Sequence, residues 1–211
     1  MDALHNLVDA PQVLALAAAL GWASGIRLYA AVLIAGAAGY MGYIDLPQGL
    51  KVLQHPAVLA ASGFMCFVEF FADKIPLVDS LWDTVHTVIR IPAGAALAAA
   101  AFGADSQAMA WLAALLGGGL AATSHTAKMT TRAAVNTSPE PVSNVAVSLF
   151  EDGFVVFMLW LAATHPAIFA VALIVTLILA VILVVVLIKF LRIALRRLDD
   201  FFAGWRSPQG S

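Results

Sequence analysis

The sequence predicts an all-α protein, a polytopic membrane helix bundle of about six spans. Three observations carry this reading. Apolar runs reach spanning length, charge is nearly absent from them, and the few charges inside them sit where lipid-facing helices do not tolerate charge. Hydrophobic residues make up 62% and charged residues 11% of the 211 residues, against roughly 45–50% and about 25% in soluble domains. Mean hydropathy is +0.93. Eleven Lys+Arg against 13 Asp+Glu leave no basic excess, so nucleic acid is excluded as a partner. The single cysteine, Cys66, excludes a disulfide framework and a cysteine-based zinc site.

A spanning helix needs about 20 mostly apolar residues. Ala167–Ile188 runs without charge until Lys189, and residues 107–127, 143–163 and 56–72 are nearly as apolar. Val13–Tyr43 is too long for one simple span and holds Ser24, Gly25 and Arg27 near its middle. It reads either as one tilted helix or as two half-helices broken at Ser24-Gly25. Leu77–Phe102 is interrupted at Pro92, just after Arg90. The first nine residues carry no Lys or Arg, so no export signal is expected and every apolar segment is read as part of the mature protein.

Orientation follows from the cations. Lys189, Arg192, Arg196 and Arg197 follow the last span, and such clusters stay cytoplasmic. Six spans then place both termini inside, with Lys51 outside. The setting is a cell's cytoplasmic membrane. Residues 1–211 form a single integral membrane domain. It divides into halves at 12–104 and 107–192, and 193–211 reads as an amphipathic tail on the cytoplasmic surface. Three spans per half would make the halves inverted repeats, with broken or re-entrant helices at the site, as in many secondary transporters. Chance likeness between Ala/Val-rich helices is the alternative.

A charge at mid-bilayer costs on the order of 3 kcal/mol on insertion scales, so the embedded charges point to function. Asp79, Asp83, His86 and Arg90 are spaced four, three and four residues apart, which puts them on one helix face. Solvated at the interface, the same stripe would need no other role. His125, Lys128 and Arg132 repeat the spacing after Gly117-Gly118-Gly119, where glycines either let helices pack closely or break the helix. That stripe also suits a cytoplasmic helix end. Residues 136–144 hold Pro139 and Pro141, so this stretch is a cytoplasmic turn or a polar loop folding back toward a cavity. Ser143 or Asn144 can cap the next helix, and Asn136 can face an anion there. Glu69 with Asp73 and Glu151 with Asp152 give one acidic cluster to each half. They suit proton carriage, a hard cation, or ion pairs with Arg27, Arg90, Lys128 and Arg132.

Three groups of segments together look like one family: Gly25–Val32, then Ala72–Pro76 through Ile89–Gly94, and Arg132–Pro141. The chain resembles the bacterial membrane family filed as domain of unknown function 4126, over roughly residues 12–190. The middle motif, with Asp79, Trp82, Asp83, His86, Thr87 and Arg90, carries most of the specificity. Leu77 and Ile91 stand where the resemblance leads one to expect Gly and Pro, which predicts a less sharp turn after Pro76 and a less sharp break at Arg90. The resemblance implies the membrane class and leaves the function open.

The expected function is a membrane transporter or flippase for a small or lipid-linked anion, a phosphate or carboxylate, coupled to protons. Arg27, Arg90, Lys128, Arg132 and Asn136 would hold the anion. Arg suits phosphate because its planar fork binds two oxygens at once. Glu69, Asp73, Asp83, His86, Glu151 and Asp152 would relay protons or balance charge. The stretch Arg90–Gly94 resembles the Arg/Pro/Gly re-entrant motifs of lipid-phosphate flippases. A divalent-cation exporter using Glu69, Asp73, Glu151 and Asp152 is the alternative, and a non-transporting scaffold is the third reading. No HExxH, GxSxG or P-loop motif occurs, so neither an enzyme nor a cofactor is expected. The expected partners are membrane lipids, the anion and a second copy of the chain.

Overall fold

A computed structural model of the chain describes residues 2–102, 107–137 and 141–206. Six α-helices and no strand occur among the described residues. They are α1 (Asp2–Tyr40), α2 (Pro56–Ala72), α3 (Val78–Ala101), α4 (Gln107–Val135), α5 (Pro141–Thr164) and α6 (Pro166–Arg206), with a 3-10 segment at Gln48–Gln54. Local chemistry sets several starts. The Nδ1 of His55 accepts from the Ala57 N–H, with Pro56 at the first helical position, where its missing donor costs nothing. Pro141 and Pro166 open α5 and α6 in the same way.

Four helices are long and apolar enough to cross a membrane: α1 from Pro11, α3, α5 from Val142 and α6. A fifth span results if the 3-10 segment and α2, bent by 67°, are taken together. The protein is a membrane-embedded helical bundle. Six spans were expected; the sixth segment, α4, has the length, with 29 residues, but its second half carries Ser124, His125, Lys128 and Arg132. α6 shows which side faces lipid. Only 6% of its apolar window is buried in the protein, and Ile174, Ile178, Val181 and Ile182 point outward.

The long first apolar stretch is two half-helices, as the second of its two readings had it, with the break at Arg27 rather than at Ser24-Gly25. The backbone leaves the helical region at Arg27, with φ −142° and ψ 74°, and α1 folds back on itself there. Gln12, Val13 and Leu16 line one pocket together with Tyr43, Ile44 and Leu46, just past the end of α1. A straight helix from Gln12 to Tyr40 would hold its ends on the order of 40 Å apart. The first arm packs on α5, with Trp22 edge-on to Phe154. The second packs on α3, with Tyr29 edge-on to His86. α1 is therefore a re-entrant hairpin with Arg27 at its tip. It enters and leaves at the end of the bundle that holds residues 40–56.

This changes the topology. Pro11 and Leu14 lie against Pro166 and Phe169 at the start of α6, while Arg192 and Arg196 close its other end. Gln12 and Arg192 thus lie at opposite ends of the bundle. The halves also differ in their first element, since α4 shows no such fold.

Other expectations need correction. α3 runs through Pro92 without interruption, so the re-entrant element is at Arg27 and not at Arg90–Gly94. Leu77 holds φ at +72°, the left-handed region that glycine enters freely. The turn after Pro76 is thus kept, with strain in place of glycine. The three glycines do not break α4, and Gly117 is the one packed tightly: a Cβ on Gly21 would lie 2.7 Å from the Gly117 Cα, and one on Gly94 would lie 2.7 Å from the Ala121 Cβ. Small residues bring α1, α3 and α4 together backbone to backbone. The tail after residue 193 continues α6 up to Arg206, and residues 207–211 lie outside those described. Ser138, Pro139 and Glu140 of the proposed polar loop also lie outside them.

Candidate functional site

The break in α1 leaves helix carbonyls without their usual donors; two side chains of α4 supply them, and a third bonds one turn earlier. Ser124 Oγ donates to the Trp22 carbonyl (2.7 Å), and Lys128 Nζ donates to that of Ile26 (3.2 Å). His125 Nδ1 lies 3.1 Å from the Gly25 carbonyl. A carbonyl only accepts, so Nδ1 carries the hydrogen, and Nε2 accepts from Thr87 Oγ1 at 2.8 Å. Two members of the α4 stripe, His125 and Lys128, thus cap a broken helix. An ammonium at the C-terminal end of the first arm also meets the negative end of its dipole.

Around this cap the charges join into one network. Arg27 binds Asp73, reaches Asp152 at 2.9 Å and donates to Ser148 Oγ at 2.9 Å. Lys128 binds Asp73 at 2.6 Å and Asp83 at 3.2 Å. Arg90 holds Glu69 and, at 2.6 Å, Asp83. Arg132 holds Glu151 at 2.7 Å, the Asn144 side chain and the Asp73 carbonyl (2.9 Å), with Asp79 at 3.9 Å. Lys74 lies 3.8 Å from Asp152, over the Phe70 ring. Asn136 donates to Asp79 at 3.0 Å and to Ser80 at 2.9 Å. Among the described residues, five cations face six acids in this network.

Burial makes these pairs consequential. Arg90, Arg132, Glu69, Asp73, Asp79 and Asp83 are all 0% exposed. One oxygen each of Glu69, Asp73 and Asp83 is buried with no hydrogen-bond partner. Breaking a buried pair from one side strands the other charge at several kcal/mol.

The structure brings together Arg27, Arg90, Lys128 and Arg132 with Glu69, Asp73, Asp83, Glu151 and Asp152. Asn136 joins at the edge. His86 does not: its Nδ1 meets the Trp82 carbonyl at 2.8 Å, and its ring stacks on Trp82. Asn144 is no cap; it lies inside α5 and accepts from Arg132. Glu69, Asp73, Glu151 and Asp152 do not form an oxygen cage either. Each pairs with a cation, and among the described residues no three His, Cys, Asp or Glu side chains are grouped to hold a metal. Ser148, Asn144 and Asp79 were absent from the expected site. Asn144, Ser148 and Glu151 follow the same four-and-three spacing used for α3, so the signal was present on α5.

One cavity reaches the network. It measures about 330 Å³ and lies between α1, α4, α5 and α6, with Lys128 and Glu151 in a wall otherwise made largely of apolar groups. A larger groove of about 520 Å³ between the second arm of α1, α2 and α3 holds no charged side chain.

A family model described as Domain of unknown function (DUF4126) matches residues 14–186. Comparison with curated proteins and with solved structures finds no match.

Proposed function

Because the chain belongs to the family described as Domain of unknown function (DUF4126), we propose its function from the site itself: a proton-coupled membrane transporter or flippase for a lipid-linked anion. The observation that carries this reading is the re-entrant tip. Arg27, at the break of α1, shares Asp73 with Lys128 and Arg132 inside the bundle. Broken helices with ions at the break are how many transporters build a site at mid-membrane. The acids balance the cations, and a substrate phosphate or carboxylate takes their place. A sixth acid beyond the five cations leaves one position for a coupling proton. The Arg192 and Arg196 end of α6 is cytoplasmic by the positive-inside rule, in a bacterial inner membrane. The entry of α1 is then external.

The test is flux. Vesicles holding the purified protein receive labelled polyprenyl phosphate, and a phosphatase added outside reads the outward-facing heads. The wild type should expose the inner-leaflet pool, faster across an imposed pH gradient, and Arg27→Lys, which keeps the charge but loses the fork, should not. Equal exposure with and without protein overturns the reading. A second reading, a scaffold held by fixed ion pairs, is favoured by one observation: each of Arg27, Arg90, Lys128 and Arg132 already has a carboxylate partner.

A further inference from the structure

The cavity between α4, α5 and α6 differs from the other cavities in chemistry. Its walls are Val147, Phe150 and Phe154 of α5 and Leu179, Ala180 and Leu183 of α6. At one side it meets Lys128, 3% exposed, and Glu151, 9% exposed. α4 and α5 hardly touch one another here, and α6, which closes the space, is largely exposed. The opening therefore faces hydrocarbon rather than water. An occupant needs a chain for the apolar wall and a head for the charged one. The volume falls within the about 300–1,000 Å³ usual for ligand pockets.

Charge decides what the head is. Glu151 faces Arg132 (2.7 Å) and Lys128 on α4, Arg27 (3.9 Å) on α1, Asp73 after α2, and Ser148 and Asp152 on its own helix. Its neighbours on α6, Thr176, Leu179, Ala180 and Leu183, carry no charge. It is the one carboxylate of the network that lines a described cavity. We propose that this cavity is the lateral binding site for a lipid with a monoanionic head, and that the head takes the place of the Glu151 carboxylate beside Arg132 and Lys128 while Glu151 takes up a proton from water. The exchange keeps the network's charge constant: one negative head and one proton enter together. It rests on the transport reading above and gives it a substrate class, an entry route and a coupling residue.

The test uses the full chain in phosphatidylcholine nanodiscs, titrated with dihexadecyl phosphate, which stays monoanionic between pH 6 and 8. Dimethyl phosphate serves as the head without the chain. Dihexadecyl phosphate should raise the melting temperature, and its apparent Kd should weaken with pH by up to about tenfold per unit, the limit for one linked proton. Dimethyl phosphate at the same concentration should do nothing. Glu151→Gln, which mimics the protonated acid, should bind with no pH dependence. Ala180→Trp and, separately, Thr176→Phe should fill the cavity and remove the shift. Equal stabilisation by dimethyl phosphate, or a shift that survives both cavity-filling variants, overturns the site and leaves the anion reading standing. No shift with either phosphate overturns both. Binding as described without flux in vesicles would keep the site and overturn transport.

Discussion

Lys128 donates to the carbonyl of Ile26, 3.2 Å away, at the residue just before α1 breaks. The same ammonium holds Asp73 and Asp83. Two of its hydrogens thus go to the Ile26 carbonyl and to Asp73, and Asp83 adds a second carboxylate 3.2 Å away. A side chain that lies 3% exposed in a membrane bundle is tolerated because two carboxylates and a helix carbonyl surround its charge.

Lys128→Met should therefore destabilise, by about 3 kcal/mol, since it takes a shared cation from two buried acids, which keep only Arg27 and Arg90, and opens the Ile26 carbonyl. Adding Asp83→Asn should recover part of the loss, because it removes one of the two acids left under-compensated. Unfolding in mixed micelles by a denaturing detergent measures both. If the double variant loses as much as the two single variants added, Lys128 and Asp83 are not coupled.

Leu77 gives a second, independent expectation. Its φ of +72° costs a non-glycine residue about 1–2 kcal/mol, and the side chain, 73% exposed, returns nothing by burial. Leu77→Gly should stabilise by about 0.5–1 kcal/mol after the greater chain entropy of glycine is counted. Leu77→Val should destabilise. Thermal melting of the two variants against wild type decides it, and a loss on Leu77→Gly would mean that this leucine has a role beyond the turn.

The resemblance that predicted glycine at position 77 and the backbone that needs it there agree, although one residue breaks the pattern. The polar stripe of α3 was likewise legible, because helical spacing alone puts Asp79, Asp83 and Arg90 on one face, and all three are buried. The hairpin was not. Ser24, Gly25 and Arg27 marked a break near the middle of Val13–Tyr43, but what folds the second arm back is packing on α5 and α3 together with donors from α4, all distant in sequence. Asp73 was named only as one of a pair. Its central place follows from lying in the turn after α2, where no periodicity reports its neighbours. His86 shows the opposite error: it shares the α3 stripe and still turns to Trp82 and Tyr29.

Glycine packing separates contact from composition. Gly21→Ala should cost about 1–3 kcal/mol, since the new methyl would meet the Gly117 backbone at 2.7 Å and force α1 and α4 apart. Gly119→Ala, two residues along the same triplet, meets nothing within 4 Å. It should be neutral or gain up to about 1 kcal/mol from helix propensity. Melting temperatures in one detergent compare them directly, and equal losses would mean that the triplet matters for something other than this crossing.

The hairpin makes a prediction about sidedness that a six-span chain would not share. A crossing α1 puts Gln12 and Tyr43 on opposite sides of the membrane; a re-entrant α1 puts both on the side opposite Arg192. Tyr43 is 77% exposed, and Cys66, the one native cysteine, is removed by Cys66→Ser. Single cysteines are then placed by Gln12→Cys, Tyr43→Cys and Arg192→Cys. In intact cells, a thiol reagent that does not cross membranes should label positions 12 and 43 and spare 192 until the cells are opened. Labelling of 43 without 12 would return α1 to a full crossing and remove Arg27 from the tip. The same result would leave the His125 and Lys128 bonds to α1 carbonyls without a reason, because a continuous helix would have used those carbonyls itself.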